Sequence, residues 1–121
     1  MDRLLQYYSR PLNRRANPQA THVRHETGRL CGDDLTIALT VHDGVVEDAA
    51  FEGQCCAVTT AAASVLTEWL KGKPARALDQ MDEAQLLHLL DDPVLPPSRR
   101  ECLLLPLDAA RRAVALGGDH D

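Results

Sequence analysis

The chain has 121 residues, a length that suits one domain around a single hydrophobic core with no need of a disulfide framework. Hydrophobic residues make up 45% and charged residues 26%, which excludes collagen-like, coiled-coil and globally disordered classes. The net charge of −5 argues against a nucleic-acid partner, because phosphate binding needs clustered Lys and Arg, and no apolar run approaches the roughly 20 residues of a membrane span.

Leu4, Leu5 and Tyr8 fall at helical spacing ahead of Pro11, predicting a short helix within residues 1–12, mobile at the edge of the domain. Asn13 to Leu30 has no clean period, contains Pro18 and Gly28, and reads as a long connection with room for an irregular edge strand. Six arginines in this third of the chain (Arg3, Arg10, Arg14, Arg15, Arg24, Arg29) form a basic region, either a solvated surface or a docking face for an acidic partner. Leu35, Ile37, Leu39 and Val41 then alternate with polar and small residues, the period of a half-buried strand. Asp43-Gly44 is a type I′ turn signal and Val45 to Phe51 returns as the second strand, giving a β-hairpin.

From Ala57 to Lys71 the period changes to 3.6, with Val58, Ala61, Ala62, Val65, Leu66, Trp69 and Leu70 on one broad face and Gly72 and Pro74 as the stop. Asp82 is placed to cap a third helix through Leu86, Leu87, Leu89 and Leu90, broken at Pro93. Pro96-Pro97 is a rigid extended segment, and a last helix is expected from about Leu107 or Asp108 to Leu116, with residues 117–121 a mobile tail. Helices outweigh strands and the strands are sequence neighbours, so residues 1–121 read as a single α+β domain.

The cysteines carry the chemistry. The opening MDRLLQYYSR lacks the apolar stretch of a secretory leader, so the cytoplasm is the expected compartment. In a reducing compartment Cys31, Cys55, Cys56 and Cys102 read as ligands, nucleophiles or core residues rather than as disulfides. Cys31 and Asp33 lie just before the hairpin, and Cys55 and Cys56 just after it, so the returning chain brings both groups to one end of the sheet. Cys56 also opens the Ala57 helix, whose free N–H groups favour thiolate, and Cys102 can reach the same place near the final helix.

The spacing fits no CxxC zinc-finger or ferredoxin pattern. It gives a mixed thiolate and carboxylate site, partly open, suited to something delivered and released rather than to a permanent structural metal. Without a ligand, Cys55 and Cys102 would be small buried hydrophobes. His22 and His25 read as loop histidines, His42 as exposed, His88 as a packing edge, Lys71 and Lys73 as a solvated helix end, and Trp69 as core.

Residues 31–73, CGDDLTIALTVHDGVVEDAAFEGQCCAVTTAAASVLTEWLKGK, resemble the IscU/SufU/NifU N-terminal type of iron–sulfur cluster assembly scaffold. The shared features are a CGD motif, a hairpin, an F-x-G-x-G-C-like turn into a small-residue helix, and T-E-x-x-K-G-K. LPPSRREC at residues 95–102 is similar to that family's LPPVK-x-H-C segment, and YYSRPLNRR more weakly to its Y-x-x-P-R-N start.

The resemblance implies an IscU-like α+β fold, with a small antiparallel sheet of about three strands against helices, including a C-terminal helical part. It makes Cys31, Asp33, Cys56 and Cys102 the metal ligands of a transient [2Fe–2S] cluster or of iron, with zinc an alternative occupant, and Asp33 the residue that assists transfer. Implied partners are a cysteine desulfurase, an iron donor, apo iron–sulfur acceptor proteins and an Hsp70-type chaperone system reading Leu95, Pro96, Pro97 and Arg99. The role is that of a scaffold and not an enzyme; the alternative is a zinc-dependent sulfur acceptor, a sulfurtransferase partner of the desulfurase.

Three positions depart from the pattern. Glu101 stands where the IscU branch has His, and the insertion usual in the SufU branch before the last cysteine is absent. Arg99 replaces the Lys of LPPVK. Cys55 occupies a usual Gly, either as a tolerated small residue or as an extra thiol that relays sulfur or is oxidised with Cys56. Glu101 and Cys55 are therefore auxiliary site candidates.

Overall fold

The alternation around Leu35 becomes a strand, β2 (Asp34–His42), antiparallel to β3 (Val45–Gln54). Their turn has φ of 54° at Asp43 and 77° at Gly44, the positive pair a type I′ hairpin demands. In this computed structural model, which describes residues 3–28 and 32–116, a further strand, β1 (His22–Thr27), pairs antiparallel with the other side of β2. The sheet order is β1-β2-β3. The region expected to be a long connection thus supplies a regular edge strand. Its burial alternates residue by residue, but the apolar/polar alternation is missing because its outward and inward positions are mostly charged or polar.

Arg14 and Arg15 cover the outer edge of β3. Phe51 N–H donates to the Asn13 carbonyl at 2.9 Å and Arg15 N–H to the Phe51 carbonyl at 3.0 Å, so that edge is not left open for pairing with another chain.

Helices α1 (Arg3–Ser9), α2 (Ala57–Leu70), α3 (Glu83–Leu89) and α4 (Arg100–Leu116) complete the α+β architecture, with 3₁₀ turns at Ala75–Asp79 and Pro97–Arg99. α2 lies against β3, α4 against β1 and β2, and α1 against α2. Leu35, Ile37, Leu39, Phe51, Leu66 and Leu103 meet in the core. α2 is buried on nearly every side, as a central helix should be, and it keeps Thr59, Thr60, Ser64 and Thr67 there. Asp82 caps α3 as expected, its side chain accepting from Gln85 N–H at 2.9 Å.

The final helix corrects the expected boundary. It begins at Arg100 rather than near Leu107, and it runs through Pro106. Proline lacks the N–H that would bond the carbonyl four residues back, so a helix crossing it is unusual. Here that carbonyl belongs to Cys102, and the Thr59 hydroxyl lies 3.1 Å from it. The tail 117–121 lies outside the described residues, and no helix among the described residues is long and apolar enough to cross a membrane.

Asn13 helps tie the N-terminal segment to α2, beside the Ser64 hydroxyl, which accepts from Leu12 N–H and donates to the Tyr7 carbonyl. The Asn13 amide donates to Thr67 Oγ1 at 3.1 Å and Glu68 Oε1 at 3.2 Å, and its oxygen accepts from Lys71 Nζ at 2.5 Å. Thr67, Glu68 and Lys71 of the T-E-x-x-K motif therefore act structurally here. Lys73 lies over the Trp69 ring, 4.8 Å from its centroid.

Candidate metal centre

Three chain segments converge at one end of the sheet. Asp33 precedes β2, Cys56 stands at the N-cap of α2 and Cys102 sits in the first turn of α4. A ligand atom from each lies within 4.8 Å of the others, with Asp33 and Cys102 buried and Cys56 half-buried. Cys31, the remaining ligand of the predicted set, lies outside the described residues. The chain on either side of it is tied: Gly28 N–H donates to the Asp33 carbonyl at 2.8 Å, and Gly32 N–H to the Gly28 carbonyl at 3.2 Å.

The hairpin does the positioning. Asp34 pairs with Gln54 at the end of the ladder, two residues short of Cys56. Gly53 allows this close approach: its φ is +133°, and a Cβ there would stand 1.8 Å from the Asp34 carbonyl oxygen. The chain then turns into α2, and Cys56 N–H donates to Asp33 Oδ1 at 2.9 Å. The carboxylate thus occupies the positive end of the α2 dipole, the favourable place for a buried negative charge. Its other oxygen, Oδ2, accepts from the Thr59 hydroxyl.

Cys102 is fully buried, and Arg99 Nη1 stands 4.0 Å from its Sγ. The guanidinium is a positive charge beside a sulfur that binds metal as thiolate. Arg99, expected from the resemblance to face a partner, therefore reaches back to the site. Leu95 packs against the core, whereas Pro96 and Pro97 are exposed. The segment borders a groove of about 480 Å³ with Arg3, Leu4 and Val58.

The two auxiliary candidates are not among the three residues whose ligand atoms converge. Cys55 Sγ is directed to the Asp34 carbonyl at 3.5 Å. Burial, with the nearby Asp33 charge, pushes its thiol up to about 12, so it remains protonated at neutral pH. Glu101 is half-buried in the first turn of α4, on the wall of a cleft it shares with Glu26, Thr27 and Asp108.

His22 and His25 belong to β1 rather than to a loop; the exposed His25 ring bonds the Asp34 carboxylate, one residue from Asp33. His88 projects to solvent and meets Asp92 at 3.3 Å, so it is not a packing edge. Thr59 is the site residue that the spacing of cysteines and acids does not reveal. The available signal was a hydroxyl three residues after Cys56, one helical turn into α2, but Thr60, Ser64 and Thr67 on the same helix give the same signal without joining the site.

Sulfur and oxygen donors in this arrangement fit zinc and iron, and the single carboxylate makes the set harder and more exchangeable than an all-cysteine one.

Comparison with known proteins agrees with this reading of the fold. The family model of the NifU-like N terminal domain matches residues 1–116. The iron-sulfur cluster assembly scaffold protein IscU of Escherichia coli (strain K12) is 35% identical over 86 residues, covering 70% of this chain and 65% of that protein. The chain therefore spans just under two thirds of that relative's length. The Haemophilus influenzae protein of the same name is also 35% identical over 86 residues.

Among solved structures, a nitrogen-fixing NifU-like protein (N-terminal) from Brucella abortus superposes with a TM-score of 0.70 at 26% identity, covering 93% of this chain and 90% of that one. A protein described as an iron-sulfur cluster assembly scaffold for the SUF system, from Fervidobacterium islandicum AW-1, has a TM-score of 0.76 at 21% identity and covers 94% and 95%. That last likeness concerns the fold alone.

Proposed function

The chain belongs to the NifU-like N-terminal domain family, and from that premise we propose that it is a scaffold on which an iron–sulfur cluster is assembled and from which it is passed on. The observation that carries this reading is the convergence of Asp33, Cys56 and Cys102 within 4.8 Å at the end of the hairpin. Cys31 completes the set from the segment between Gly28 and Gly32. The thiols give up their protons and supply electron pairs to iron or zinc, so loading releases protons to solvent. The sulfur for a [2Fe–2S] cluster comes from a cysteine desulfurase as persulfide and is reduced to sulfide by electrons from the ferrous iron and from a thiol or other external reductant. The cluster then leaves to apo acceptor proteins.

Asp33 is the exchangeable member. Its carboxylate is a weaker, harder donor than thiolate toward iron bound among sulfurs, so a site containing it lets its cargo go more readily than four cysteines would. Arg99 places a positive charge beside Cys102 from outside the ligand set. The protein acts as a carrier with no turnover of its own.

Anaerobic reconstitution with ferrous iron, cysteine and a cysteine desulfurase tests the reading. A visible cluster chromophore with about two irons per site is the expected result. Tightly held zinc, no chromophore and faster desulfurase turnover would instead make the protein a sulfur acceptor.

A further inference from the structure

Thr59 touches each described member of the ligand set without belonging to it. The residue is fully buried, and its hydroxyl donates to Asp33 Oδ2, lies 3.4 Å from Cys56 Sγ and lies 3.1 Å from the Cys102 carbonyl oxygen. The other buried hydroxyls of α2 behave differently. Thr60, Ser64 and Thr67 each bond a carbonyl of the preceding turn, the ordinary habit of a helical Ser or Thr. Ser64 and Thr67 also meet the N-terminal segment at Tyr7, Leu12 and Asn13, away from the ligand group. Thr59 reaches across to two other segments of the chain.

A hydroxyl has one proton and therefore serves one of its two oxygen acceptors at a time. The second acceptor is in reach because of Pro106: the Cys102 carbonyl would ordinarily take the N–H four residues on, and proline has none. We propose that Thr59 is a positioning residue for Asp33, holding the carboxylate beside the thiols and turning its proton to the Cys102 carbonyl when Asp33 moves. The buried hydroxyl then keeps a partner in both arrangements. The exchangeable ligand can leave without stranding a polar group in the core. This inference rests on the metal-binding reading of the site and deepens it.

The test is zinc affinity, by chelator competition, and the cobalt(II) visible spectrum of the full chain and of Thr59→Val, Thr59→Ser and Asp33→Ala, with circular dichroism as the check on folding. Thr59→Val keeps the shape and removes the hydroxyl. It is expected to weaken zinc binding about 10–100-fold, the usual cost of losing a group that orients a ligand, and to alter the cobalt bands.

Thr59→Ser is expected to restore both. In the Asp33→Ala background Thr59→Val should add no further loss, because the group it positions is gone. Parent-like binding by Thr59→Val would overturn the proposal, as would an equal loss in the Asp33→Ala background. If Thr59→Val does not fold, Thr59→Ala makes the same comparison. A parent that binds neither metal would overturn the metal-binding reading, and this inference with it; a parent that binds while Thr59→Val binds equally would overturn this inference alone.

Discussion

The backbone N–H of Cys56 donates to Oδ1 of Asp33 at 2.9 Å, across a sequence separation of 23 residues. A carboxylate and a thiol are thereby fixed at the same helix N-terminus. The bond exists because the hairpin between them has a two-residue turn and a glycine where its strands come closest. The scaffold reading depends on that local geometry more than on any overall property of the chain.

The two neighbouring cysteines should behave differently. Cys56 faces the ligand group, whereas Cys55 turns to the Asp34 carbonyl with its thiol held protonated. Cys56→Ser is expected to abolish zinc retention through gel filtration, and Cys55→Ser to leave it at the parent's stoichiometry. The reverse pattern in metal analysis would mean that the wrong thiol of the pair has been assigned.

Gly53 is required by the backbone. A side chain there would collide with the Asp34 carbonyl, and φ of +133° suits no other residue. Gly53→Ala should cost about 3 kcal/mol or more in urea unfolding and loosen the entry to the site. A change within about 0.5 kcal/mol, typical of an indifferent surface position, would show that the hairpin end can shift freely.

Glu26 gives a pH dependence of known sign. Burial raises its pKa, but hydrogen bonds and charge from Arg112 at 2.9 Å and Arg24 at 2.6 Å outweigh this and hold the carboxyl below the ordinary glutamate value. A depressed folded pKa contributes stability above the unfolded value, and that contribution disappears as pH falls through the folded one. Glu26→Gln should therefore be less stable than the parent by about 1–2 kcal/mol at neutral pH. The gap should close as pH falls from the ordinary glutamate value through the lowered folded one. Thermal unfolding at several pH values measures it, and a gap independent of pH would assign the loss to packing.

The legible parts of the sequence were those where local chemistry and tertiary packing agree. Leu35, Ile37 and Leu39 alternate because one face of β2 is core, and Asp43-Gly44 can hardly be anything but the turn. The edge strand His22–Thr27 was obscured because its mostly polar residues lack an apolar alternation. The start of α4 was hidden by Pro106, a helix breaker tolerated in a buried segment with Thr59 beside the carbonyl it leaves without its usual donor. At the site, residue type and topology brought Asp33 and the Cys55–Cys56 pair to one end of the sheet, whereas the choice of Cys56 and Cys102 as ligands came from the family resemblance. The hydroxyl of Thr59 and the amide of Asn13 escaped notice because they act through partners 26 to 58 residues away, which no local pattern encodes.

The most direct test of the scaffold reading is the lifetime of a reconstituted cluster on the parent and on Asp33→Ala, followed by visible absorption with an apo acceptor and a chelator present. The parent is expected to pass its cluster to the acceptor, and Asp33→Ala to hold its cluster longer because the exchangeable ligand is gone. That slower exchange is separate from the equilibrium zinc affinity that the positioned carboxylate supports. A variant that loses its cluster faster than the parent would contradict the role given to Asp33, and with it the account of how the cargo is released.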